Sequence, residues 1–159
     1  MKNILITGGA GFIGSNVALK LVAKGYNVTV LDTLSKQIHG EKPEETSPLY
    51  LSIKDKVKFI EGSVTSREHW MKALEGQEAV IHLAAETGTG QSMYEINKYI
   101  ETNIGGTSIL LDNISTLNFI ASNESAPNSK ISSLIPTFVF NNFSQVSQNN
   151  FCNSFSGAT

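Results

Sequence analysis

Ile4-Leu5-Ile6-Thr7-Gly8-Gly9-Ala10-Gly11-Phe12-Ile13-Gly14 is the stretch that decides how this chain of 159 residues is read. The apolar run Ile4–Ile6 has the pattern of a strand buried on both faces. Glycines at 8, 11 and 14 follow, leading into a segment whose Val17, Ala18, Leu21 and Val22 recur at helical spacing. The three glycines do different things. Gly8 permits the tight turn, Gly11 lets the backbone approach a phosphate, and Gly14 lets the helix close on the strand. The free N–H groups of Phe12 and Ile13 then point at an anion, assisted by the helix dipole. Such a turn is suited to a dinucleotide pyrophosphate. The competing reading is an ordinary glycine-rich strand-to-helix turn, and the strand before and acid after argue against it.

That acid is Asp32. Gly25 ends the first helix, and Tyr26-Asn27-Val28-Thr29-Val30-Leu31-Asp32 alternates and stops at a carboxylate, as a second parallel strand should. Asp32 lies eighteen residues past Gly14, close to the offset at which a carboxylate accepts bonds from the adenosine ribose hydroxyls. Its charge repels a 2′-phosphate, so NAD is expected over NADP. Lys36 complicates this, because a cation just past the strand suits that phosphate. Asp32 could instead cap the next turn.

Strand signals at Asn3–Thr7, Asn27–Asp32, Val57–Glu61 and Ala79–Leu83 alternate with helical signals at Phe12–Lys24, Ser66–Leu74 and a long stretch from about Gln91 to Leu117. The alternation predicts an α/β fold, a Rossmann-like doubly wound parallel sheet. Four strands make it incomplete and leave the fourth with an unpaired edge, which predicts marginal stability, self-association or aggregation. Leu34–Lys56, with Pro43, Pro48 and several charges, reads as an exposed excursion.

Composition narrows the partners. A net charge of −2 with scattered basic residues argues against nucleic acid or an anionic membrane. No stretch nears the roughly 20 apolar residues of a membrane span, and the start of the chain enters a strand at once, so no leader is expected. Cys152 stands alone, which excludes an intramolecular disulfide and suits a reducing cytoplasm. His39, His69 and His82 lack metal-ligand spacing, so no metal is expected.

Near residue 118 the character changes. Residues 118–159 hold eight Asn, nine Ser and six of the eight Phe, but only two charges, Glu124 and Lys130. Such sequence builds a core poorly, and only Leu134–Phe140 reads as a strand. Residues 1–117 are therefore taken as a dinucleotide-binding half-domain and 118–159 as an irregular tail. The tail is either genuine or the product of a lost reading frame or truncation, and the abruptness of the break favours the latter.

Thr7 to Gly14, Asp32, His82-Leu83-Ala84-Ala85, and Asn103 followed by Gly106-Thr107 resemble the N-terminal half of the extended short-chain dehydrogenases/reductases, in their nucleotide-sugar epimerase/dehydratase branch. The run from His82 to Tyr94 is most similar to sugar-nucleotide 4-epimerases. The resemblance covers residues 1 to about 117. It implies that Gly8, Gly11, Phe12, Ile13 and Gly14 hold the pyrophosphate of NAD, and that Asp32 binds the ribose beside Leu34 and Ser35. Ser63 and Val64 would flank the adenine. Many relatives carry an aspartate at the position of Ser63; a serine hydroxyl accepts the same bond without charge. Leu83, Ala84, Ala85 and Asn103 would lie at the nicotinamide end. His82 reads as a buried, satisfied histidine rather than a base. The Gly88–Ser92 loop either touches a sugar or simply connects.

The resemblance also implies chemistry that is not found here. Relatives use a tyrosine phenolate as base, with a lysine four residues later that lowers its pKa. Tyr94-Glu95-Ile96-Asn97-Lys98 has that spacing but follows the fourth strand rather than a fifth, so it is not taken as catalytic. No tyrosine occurs past residue 117, and Ser122 arrives too early to end a serine-rich strand. No catalytic residue is assigned. The expectation is an NAD-binding portion of a nucleotide-sugar epimerase/dehydratase-like protein, with nucleotide sugar bound only in a longer form. A non-enzymatic dinucleotide-binding module and a dehydratase or reductase relative are the alternatives.

Overall fold

The computed structural model describes residues 2–123 and 138–140, with side-chain surroundings as far as residue 114. Strands β1 (Asn3–Thr7), β2 (Asn27–Asp32), β3 (Lys58–Glu61), β4 (Ala79–His82) and β5 (Phe138–Phe140) form one parallel sheet in the order β3-β2-β1-β4-β5. The continuous apolar run puts β1 at the centre, where Leu5 and Ile6 are fully buried. Strand alternation sends its side chains to two separate cores. Leu5, Leu31, Ile60 and Val80 pack with Trp70, Ala73, Leu110 and Ile114 on one face. Ile4, Ile6, Val28 and Val30 pack with Ala10, Ala18, Leu34 and Ile53 on the other.

The first face is covered by α5 (Arg67–Leu74) and α7 (Gly106–Asn123), the second by α1 (Phe12–Ala23) and α4 (Pro48–Ile53). Because β2 and β3 run outward on one side of β1 and β4 lies on the other, the strand order reverses between β1 and β4. That reversal opens a crevice at their carboxyl ends.

Three expectations need correction. Leu34–Lys56 is not an exposed excursion: it folds into α2 (Lys36–His39), α3 (Pro43–Thr46) and α4, and Leu34, His39, Ser47 and Ile53 are buried. Pro43 and Pro48 begin helices, where a missing N–H costs nothing, and the Ser47 hydroxyl caps α4 by accepting from Tyr50 N. The long helix does not run unbroken from Gln91. A 3₁₀ turn (Gln91–Met93), α6 (Ile96–Tyr99) and a π-helical turn (Ile100–Gly105) precede α7. Strand β4 is also not an edge, because β5 pairs with it over Val80–His82. Apart from the end of α7 and β5, the expected irregular tail lies outside the described residues.

Candidate dinucleotide site

The carboxyl ends of β1, β2, β3 and β4 surround a cleft of about 420 Å³. At its centre, Gly8 turns the chain at φ +67°, and a Cβ there would lie 2.7 Å from Ala84 N. Gly14 is equally confined, since its Cβ would strike the carbonyl oxygen of Gly8. Around Gly11, only that carbonyl lies within 4 Å, at 3.3 Å from where its Cβ would be. Gly11 caps α1 without a side-chain bond, and the first helical amide with a partner one turn back is Ser15, donating to Gly11 O at 2.9 Å. The N–H groups of Phe12, Ile13 and Gly14 thus have no carbonyl one turn before them within the helix. Phe12 and Ile13, exposed by 74% and 51%, stand at the cleft.

Asp32 ties this turn to the second strand. One carboxylate oxygen accepts from Ala10 N and the other from Leu34 N, both at 2.9 Å. Each oxygen keeps further acceptor capacity for a ligand hydroxyl. Ser35 lines the cleft, whereas Leu34, at φ +49°, is packed into the core. Lys36 is paired with Glu41 at 2.7 Å.

Beyond β3, Gly62, Ser63 and Val64 form the next wall. Ser63 N donates to His69 Nδ1 at 3.0 Å, and the Ser63 hydroxyl meets the Thr65 hydroxyl at 2.8 Å. At the β4 side Leu83, Ala84 and Ala85 line the cleft, followed by Glu86 and Thr87. Asn103 does not reach the lining; its neighbour Thr102 does. The Asn103 amide instead clamps Glu86, accepting from its N at 2.8 Å and donating to its carbonyl at 3.1 Å.

Polar groups behind the cleft form one ordered chain. The Thr7 hydroxyl accepts from Leu83 N and Ala84 N at 3.1 and 3.2 Å. Leu83 N is shared with the Thr7 carbonyl, also at 3.1 Å. Because Thr107 gives its one proton to Asn103 O, it must accept from His82 Nε2, which leaves Nδ1 to accept from the Thr7 hydroxyl at 2.6 Å. The imidazole proton therefore sits on Nε2, facing the Thr107 hydroxyl at 3.2 Å, and Thr107 donates onward to Asn103 O at 2.7 Å. Burial lowers the pKa of His82 to about 4, so the ring is neutral. The glycine turn, β4 and the π turn are thereby joined.

Sequence reading missed Gln37, Ile38 and His39 of α2 and Leu49 of α4, which line the cleft. They lie within the charged segment Leu34–Lys56, where short helices leave no periodic signal. Tyr94, exposed by 76%, stands outside the cleft lining. Lys98 pairs with Glu86 at 3.2 Å and Glu95 at 3.7 Å, and its bond to Glu86 raises its pKa. The lining contains neither tyrosine nor lysine among the described residues, and no cluster there could hold a metal. No described helix is long and apolar enough to cross a membrane.

The cleft thus brings together open amides at the glycine turn, a carboxylate acceptor at the end of β2, and two outer walls of small and apolar side chains with the Ser63 hydroxyl among them. Known proteins share the sequence pattern and the fold. The sequence pattern of the NAD dependent epimerase/dehydratase family matches residues 4–133, past the point near 117 where resemblance was read. A dTDP-L-rhamnose 4-epimerase from Burkholderia thailandensis is 38% identical over 115 residues, 71% of this chain and 30% of its own length. The crystal structure of UDP-glucose 4-epimerase from Brucella ovis in complex with NAD superposes with a TM-score of 0.58 at 35% identity, covering 70% of this chain and 31% of that one. A dTDP-glucose 4,6-dehydratase from Streptomyces venezuelae, with NAD bound, gives 0.57 at 29% identity over 69% of this chain and 34% of that one. The chain thus spans about a third of the length of these relatives, matching their N-terminal, cofactor-binding portion. With this pattern running through the turn, the acid and the walls of the cleft, the chain belongs to the NAD dependent epimerase/dehydratase family.

Proposed function

We propose that this chain holds NAD in the cleft, as the cofactor-binding portion of a nucleotide-sugar epimerase or dehydratase. The observation that carries the reading is convergence: the Gly8–Gly14 turn, Asp32, Ser63–Val64 and Leu83–Ala85, far apart in sequence, line one cleft. The amides of Phe12, Ile13 and Gly14 would bind the pyrophosphate. Asp32 would accept from the adenosine ribose and repel a 2′-phosphate, with Lys36 already engaged by Glu41. Leu83–Ala85 would carry the nicotinamide half, with Asn103 positioning the neighbouring Glu86 backbone rather than touching the cofactor. When bound, NAD supplies a site that takes up and returns hydride.

Catalysis asks for more than this cleft contains. Among the described residues no tyrosine–lysine pair lines it, so we propose that a proton donor and acceptor for the sugar come from elsewhere, and a nucleotide sugar is proposed as ligand only of a longer form. The absence of that pair alone is expected to cost on the order of 10²–10⁴ in rate. A cytoplasmic setting, consistent with the lone Cys152, completes the proposal. Self-association would have to use a surface other than the edge of β4, since β4 is paired with β5.

Calorimetric titration tests the reading. NAD is expected to bind about tenfold or more tightly than NADP, and Asp32→Asn to narrow that gap by weakening NAD while sparing NADP. Equal affinities, or no binding of either, would contradict it.

A further inference from the structure

The wall after β3 presents hydroxyls where a charge could stand. If Asp32 holds the adenosine ribose at the end of β2, the base lies one strand further out, against Gly62, Ser63 and the buried Val64. Ser63 Oγ accepts from Thr65 N at 3.1 Å and lies 2.8 Å from Thr65 Oγ1, an arrangement in which either hydroxyl can be the donor. We propose that Ser63, backed by Thr65, lets the base end of the cleft accept a purine with either an amino group or a carbonyl at its 6 position. The inference rests on the NAD reading and goes beyond it, from a cofactor to the class of bases tolerated.

Counting protons and lone pairs carries the argument. A hydroxyl has one proton to give and two lone pairs to offer. In one state Ser63 donates to Thr65 and accepts from Thr65 N, leaving one lone pair on Ser63 for an incoming amino N–H. In the other, Thr65 O–H donates to Ser63. Both Ser63 lone pairs are then filled, and its proton is free to meet a carbonyl oxygen. In the first state the Thr65 proton turns to solvent, where Thr65 is exposed, and passing between the states needs only rotation of two O–H bonds. A carboxylate at residue 63 would accept and never donate, so it would welcome the amino group and oppose the carbonyl.

The test is calorimetric titration of the full chain with NAD and with nicotinamide hypoxanthine dinucleotide, which carries a 6-carbonyl in place of the amino group. The two dissociation constants are expected to agree within about fivefold in the natural sequence, and Ser63→Asp is expected to raise their ratio by about fivefold or more in favour of NAD. Each ratio is taken within one preparation, so the fraction of folded protein cancels. If Ser63→Asp binds neither ligand, the ratio in the natural sequence decides alone. A wider ratio in the natural sequence, or a smaller rise in Ser63→Asp, overturns the inference. Normal NAD binding with the analogue rejected would overturn it alone, whereas failure to bind NAD would remove the reading beneath it.

Discussion

Gly8 turns the chain at φ +67° with the backbone of Leu83 and Ala84 packed against the place where a side chain would begin. An alanine there meets two penalties at once, a left-handed conformation and a clash with backbone that cannot rotate away. Gly8→Ala is therefore expected to destabilise the fold by about 3 kcal/mol, read as a lowered urea midpoint. This need was legible in the sequence from glycine spacing. The role of Gly14 was legible too. That of Asp32 was legible only in part, because its bonds to Ala10 N and Leu34 N depend on how two distant turns meet.

His82 gives the second residue-scale prediction. Its ring takes a proton near pH 6.5 when unfolded and near 4 when folded. Between these values the unfolded chain binds more protons, so stability falls as acid is added: the contribution is complete above pH 6.5 and gone below about 4. The span corresponds to about 3 kcal/mol. Urea unfolding across pH 4–7 should show this slope in the natural sequence and a flatter one in His82→Gln; parallel curves would contradict it.

At the scale of elements, the strands were the legible part. Strands β1 and β2 match their expected bounds, β4 ends one residue early and β3 starts one residue late, because alternation and apolar runs report burial directly. The helices were less so. Of the short helices, α3 and α4 start at prolines and α4 has a serine cap, which leave only punctuation in the sequence. The π turn Ile100–Gly105 accompanies a tertiary bond, Asn103 to the Glu86 backbone, and composition does not reveal such a partner. Insertions of this kind often mark functional sites in helices. Asn103→Leu removes both bonds while keeping bulk. It is expected to cost about 2 kcal/mol and to speed hydrogen exchange at Glu86 N–H above all other amides of the β4 loop. Unchanged exchange at Glu86 would show that the clamp does not hold the loop.

At the scale of the whole molecule, two apolar layers enclose a sheet whose strand order reverses at the cleft, so the position of the site follows from topology. The side chains that tune it follow from particular turns. The chain covers about 30% of a related 4-epimerase, and the described cleft has means to hold a dinucleotide but no tyrosine–lysine pair for moving a proton. The central claim is that this cleft, formed by turn, acid and walls, is where NAD sits. The most direct measurement is titration of NAD into isotopically labelled protein, with backbone amide resonances followed one by one. The account predicts that Gly11–Gly14, Asp32, Ser63, Val64 and Ala84 shift first and most. Unmoved resonances there, or shifts gathered instead around Tyr26, Lys56 and Gln77 at the opposite end of the sheet, would contradict it.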